Sequence, residues 1–74
     1  MSTFTLSDIE RACGVTAEAV SAHALTSTVR DGMAVIDMSA TPAEAGATAR
    51  YLLGGQVAFS HLAMCAYPVY HLAG

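Results

Sequence analysis

From Tyr51 to Gly74 the chain carries no Asp, Glu, Lys or Arg, an uncharged run covering a third of its 74 residues. Such a stretch must be buried in the chain's own core, pressed against a partner or dissolved in a bilayer. Its length is enough to cross a membrane. Gly54, Gly55, Gln56, Ser60, His61, Pro68 and His71 are each costly or disruptive in hydrocarbon, and Arg50 alone flanks the run as a positive anchor. A membrane span is therefore not expected. Core or interface remains, and the run doubles as a candidate surface for a homo-oligomer.

The chain has room for one domain. A domain of this size buries only about 60% of its unfolded surface, so its core is thin. Hydrophobic residues make up 54% and charged ones 12%, where an ordinary soluble domain has roughly 25% charged. Apolar surface left over after folding marks a contact site. The composition is rich in alanine and free of lysine, asparagine and tryptophan, a skew that GC-rich bacterial and phage genomes produce. The net charge of −3 opposes non-specific attraction to a phosphate backbone. Met1–Thr5 has neither a basic start nor an apolar run behind it, which gives a cytoplasmic expectation with Cys13 and Cys65 reduced.

The patterning predicts a mainly α, α+β fold in a single domain spanning residues 1–74. Residues 7–25 read as a helical corner. Ser7-Asp8-Ile9-Glu10 has the form of a capping box with Ser7 as cap and Glu10 reaching back, and Gly14 ends that helix. Thr16 opens the second helix, with Val15 and Val20 placed as a hydrophobic staple. Residues 26–38 read as a β-hairpin, because Asp31-Gly32 lies between β-branched runs and both central positions of such a turn need positive φ. Thr41-Pro42-Ala43-Glu44 starts a third helix with a cap, a proline at the first position and a capping acid. Gly54-Gly55 ends or kinks it, and an almost wholly apolar fourth helix is expected from Gln56 to about Ala66. Residues 42–66 thus form a helical pair, and 67–74 a docked tail.

No catalytic apparatus, cofactor site or metal site is expected. His61 and Cys65 stand i, i+4 on one helical face, which suits two ligands of one metal ion, but a zinc site needs a second close pair. A Cys–His nucleophile would need an orienting third group and a cleft. Gly54-Gly55 lacks the flanking features of a phosphate-binding loop. Of the six acids, Asp37 is the odd one: it interrupts an apolar run, pointing outward or meeting a partner's arginine.

From Thr5 to about Ala24, Thr5-Leu6-Ser7-Asp8-Ile9, Gly14-Val15-Thr16 and Val20-Ser21 resemble the helix-turn-helix of lac-repressor-type bacterial regulators. The resemblance implies a DNA-binding regulator, dimeric through its C-terminal helices, with Arg11, Thr16, Ser21 and Arg30 as candidate DNA contacts. Glu10 and His23 depart from that pattern, standing where the family has a small residue and a large aliphatic. The helix that would enter the groove presents Ala17, Glu18, Ala19, Ser21 and Ala22, none suited to reading a base edge.

The leading expectation is a non-enzymatic protein-binding module, an inhibitor or adaptor of phage or mobile-element type acting on a host complex. Small size and acidic character are similar to the anti-CRISPR class of proteins. Candidate partner contacts are Asp8, Glu10, Glu18, Asp31 and Asp37, as acids facing a basic nucleic-acid channel, and Tyr67 and Tyr70, which flank Pro68. The alternatives are the DNA-binding regulator and a structural subunit self-assembling through residues 51–74.

Overall fold

The structure is a computed structural model and describes residues 5–60 and 67–73. In chain order it comprises α1 (Leu6–Cys13), α2 (Ala17–Thr26), β1 (Thr28–Arg30), β2 (Met33–Val35), α3 (Pro42–Leu53), β3 (Val57–Phe59) and β4 (Val69–Leu72). The strands form one antiparallel sheet in the order β1-β2-β4-β3.

Each helix is delimited by local chemistry. Thr5, not Ser7, caps α1: its hydroxyl accepts from the Asp8 amide, while the Asp8 carboxylate accepts from the Thr5 amide. Glu10 is drawn elsewhere, and its carboxylate accepts from the Ala17 amide at 2.9 Å, so it caps the helix after its own. Thr16 caps α2 as the sequence indicates, and Thr41 and Glu44 form the reciprocal box at the start of α3. The hairpin turn is at Asp31-Gly32, with φ of 52° and 75°. That left-handed pair matches the twist of the flanking strands.

The fold departs from expectation after α3. The fourth helix from Gln56 to Ala66 does not form; Val57–Phe59 is a strand, and residues 61–66 lie outside the described set. Gly54 takes the left-handed cap conformation at φ 72° and donates its amide to the Arg50 carbonyl, which stops α3. Beyond it, β-branched Val57 and aromatic Phe59 suit a pleated strand. The decisive contribution is long-range: β4 supplies the ladder, flanked by Ser60 N–H to the Val69 carbonyl at 2.7 Å and Ala73 N–H to the Gln56 carbonyl at 2.8 Å. A short apolar run does not by itself distinguish helix from strand. The expected docked tail is thus an inner strand, seated between β2 and β3.

Helix α3 lies between two small cores. On one side Ala45 and Ala49 pack against Ala34 and Ile36, with Leu52, Leu53, Val57 and Tyr70 around them. On the other, Ala47 packs against Ile9 and Val20, with Leu6, Cys13 and Val15. The order of layers is therefore sheet, α3, then the α1–α2 corner. No helix among the described residues is long and apolar enough to cross a membrane.

Thr48 is fully buried in α3, and its hydroxyl has no hydrogen-bond partner among the described residues. A buried donor without a partner carries a desolvation cost that an apolar group of the same shape avoids. Thr48→Val is expected to raise stability by about 1 kcal/mol, read as an increased denaturant midpoint at unchanged slope.

Candidate functional site

Antiparallel partners share a face of the sheet, so the register sorts the strand side chains into two sets. Val29, Ala34, Tyr70 and Phe59 form a row, and Ala34 and Tyr70 pack toward α3. This is the inner face, where the Phe59 ring meets Tyr70 edge-on with centroids 5.6 Å apart. The alternate residues form the outer face: Thr28, Val35 and Val69 in one row, and Arg30, Met33, His71 and Ala58 in the next. No described helix packs on this outer face. Val69 is buried there, Met33, Val35 and Ala58 are half-buried, and Thr28, Arg30 and His71 are exposed.

At one end the outer face deepens into a hollow of about 230 Å³, lined by Thr26, Thr28, Val35, Asp37 and Tyr67. The strand alternation explains the set: Thr26, Asp37 and Tyr67 each lie two residues from an outer-face member. Leu25 and Met38, which are 87% and 61% exposed, adjoin Thr26 and Asp37. The Thr26 hydroxyl donates to the Asp37 carboxylate, which ties the end of α2 to the segment after β2.

Behind the hollow, Asp37 belongs to a polar cluster joining three segments. His23 in the last turns of α2 places Nδ1 2.9 Å from the Asp37 carboxylate and Nε2 3.1 Å from that of Glu44. Its side chain is only 15% exposed. Asp37 also accepts from the Thr26 and Ser39 hydroxyls and the Ser39 amide. The Asp37 amide donates to the Ser27 hydroxyl, which itself donates to the His23 carbonyl.

These contacts set the charges. The bond to Asp37, reinforced by Glu44, raises the His23 pKa above its ordinary 6.5 against the opposing effect of burial. Hydrogen bonds from Ser39, Thr26 and His23 hold the Asp37 carboxyl far below the usual carboxylate range. The Thr41 amide, with help from His23, lowers Glu44. The ring lies between two carboxylates, an arrangement that favours its protonated form. Neither ring nitrogen faces a hydroxyl that could serve as a nucleophile.

The residues expected from sequence are dispersed. Asp37 and Tyr67 meet at the hollow, although the Asp37 oxygens are occupied by donors from this chain. Tyr70 is half-buried on the inner face, held there because its register partner Ala34 lies at the core centre. Asp8 caps α1 and pairs with Arg11 at 3.4 Å. Glu10 caps α2, and Thr16 accepts from the Ala19 amide. The side chains of Glu18, Arg30 and Asp31 make no hydrogen bond or ion pair among the described residues, and Ser21 is half-buried on α2. The His61–Cys65 pair lies outside the described residues, and among those described no three His, Cys, Asp or Glu converge as metal ligands. His23 is the residue that sequence reasoning missed. Its signal was there: a histidine late in a helix and an acid interrupting an apolar run. Their pairing spans 14 residues, which no local pattern encodes.

A pH dependence follows. The raised His23 pKa contributes stability that is fully present below 6.5 and lost as pH rises through the folded value. The lowered Glu44 and Asp37 pKa values contribute stability present above their ordinary 4.5 and 3.8, and lost as pH falls toward the folded values. Thermal midpoints measured across the pH range are expected to peak between about 4.5 and 6.5. His23→Leu removes the decline on the alkaline side.

Compared with known proteins, the chain matches no protein-family model, no curated protein sequence and no solved structure.

Proposed function

We propose that this chain is a small, non-enzymatic protein-binding module that meets its partner through the outer face of its sheet. One observation carries the reading: half-buried Met33, Val35 and Ala58 lie on a sheet face over which no described helix packs. That apolar strip runs into the hollow lined by Val35 and by Tyr67, which is 47% exposed. Apolar centres edged by polar groups are the usual anatomy of a protein contact; here Thr28 and Arg30 on edge strand β1 supply the edge, and His71 stands between Met33 and Ala58.

The acidic version of this reading, in which carboxylates mimic a nucleic acid, has less support. Asp8, Glu10 and Asp37 are engaged within the chain, leaving Glu18 and Asp31 in separate elements. An inhibitor or adaptor working through the outer face is the form that fits better. The helix-turn-helix reading is also weakened. A helix start that met a phosphate would offer its free amides, but in α2 the Glu10 carboxylate occupies the Ala17 amide. Self-assembly through residues 51–74 has part of its surface withdrawn into the inner strand β4.

The test is affinity capture from the native host with nuclease present, repeated with Met33→Glu and with Glu18→Gln, each checked for folding by circular dichroism. A protein partner is expected that survives nuclease, tolerates high salt and is retained by Glu18→Gln. Met33→Glu is expected to weaken it at least tenfold, about 1.4 kcal/mol. A partner lost to nuclease, or one indifferent to Met33→Glu, overturns the assignment.

The DNA-binding alternative has its own check. An electrophoretic shift on sheared genomic DNA at low salt is expected to show no retention below micromolar dissociation constants, because the electrostatic contribution is largely missing.

A further inference from the structure

A neutral imidazole carries one N–H, and the ring of His23 has two carboxylates to satisfy. We propose that His23 is a proton-operated latch between α2 and α3, closed while both ring nitrogens are protonated and released at Glu44 when one proton leaves. Deprotonation leaves a lone pair on one nitrogen facing a carboxylate oxygen about 3 Å away, which is repulsive. In this latch the remaining proton stays on Nδ1, toward Asp37, whose bond favours the protonated ring more than that of Glu44 does. Nε2 is then the exposed lone pair, and the Glu44 side chain withdraws from it. Glu44 keeps its bond from the Thr41 amide, so α3 retains its cap while its tie to α2 is lost.

The surroundings of the ring favour such a two-state response. The charged groups that bond to it are Asp37, from the segment after β2, and Glu44, from α3. No arginine bonds to either carboxylate: Arg11 pairs with Asp8, and Arg50 donates to the Cys13 sulfur at 3.4 Å. On α2 itself the other titratable group is Glu18, in the first turn. From the sheet, the Arg30 side chain makes no hydrogen bond or ion pair among the described residues, and His71 lies on the outer face, paired with Met33 and Ala58. Among the described residues, protonation of His23 is thus opposed by no neighbouring cation in contact. Its loss is felt directly by two segments that also build the hollow, through Thr26 and Asp37. The latch is a property of the free chain and does not depend on the binding role proposed above.

The experiment is a nuclear magnetic resonance titration of the isolated protein from pH 5 to 9, following the His23 ring and the backbone amides of Ser39, Thr41 and Glu44. A single shared midpoint above 6.5 is expected for the ring and the Thr41 and Glu44 amides, with smaller changes at Ser39. Hydrogen exchange in the last turn of α2, corrected for intrinsic rates, is expected to accelerate several-fold across that midpoint. In Glu44→Gln the amide side chain offers both a donor and an acceptor to Nε2, so the ring midpoint falls and the Thr41 amide no longer follows it. A ring that titrates at or below 6.5, or one whose titration leaves the α3 amides and α2 exchange unchanged, overturns the latch.

Discussion

Helix α3 is the constraint on which the rest of this structure depends. It contributes to both hydrophobic clusters, one shared with the sheet and one shared with the α1–α2 corner. A helix buried on two sides needs short side chains if both neighbours are to approach closely. Ala45 and Ala49 serve the sheet side and Ala47 the helical side. Larger residues on either stripe would push one layer away, and each of the two cores is too small to compensate. This is why an alanine-rich sequence is a structural requirement here as well as a compositional habit.

Polar groups complete what the thin core leaves unfinished. The α1–α2 corner is closed by the Glu10 carboxylate at the start of α2, and the end of α2 is held by His23, Thr26 and Ser27 to the segment after β2. Glu44 has two roles, as capping acid of α3 and as counter-ion to His23. Such bonds are individually modest, but each satisfies groups that would otherwise be stranded at a junction between layers. Most of the chain's acids are therefore committed to architecture. That commitment moves the candidate contact surface from the acidic residues to the outer face of the sheet.

The legible parts of the fold were those governed by neighbours in sequence. Thr16, Thr41-Pro42-Ala43-Glu44, Gly14 and Asp31-Gly32 act through bonds or φ angles spanning a few residues, and they bound the elements the sequence suggests. The start of α1 lies earlier than Ser7 suggested, since Thr5 takes the cap through Asp8 and Glu10 has a better use seven residues on. Of the candidate contacts, Asp37 and Tyr67 converge on one hollow. Tyr70 turns inward because strand register, invisible to composition, assigns its face.

The uncharged run from Tyr51 onward divides what sequence determined from what tertiary structure decided. Its lack of charge required burial or contact, and that requirement is local chemistry. Whether Val57–Phe59 and Val69–Leu72 became helix or strand rested on partners far away in the chain, because apolar runs of this length satisfy either geometry. The choice was made by β2, whose exposed ladder accepted β4 and so created an edge for β3. The same holds for His23, whose two carboxylates come from a loop and a helix that only the folded chain brings together.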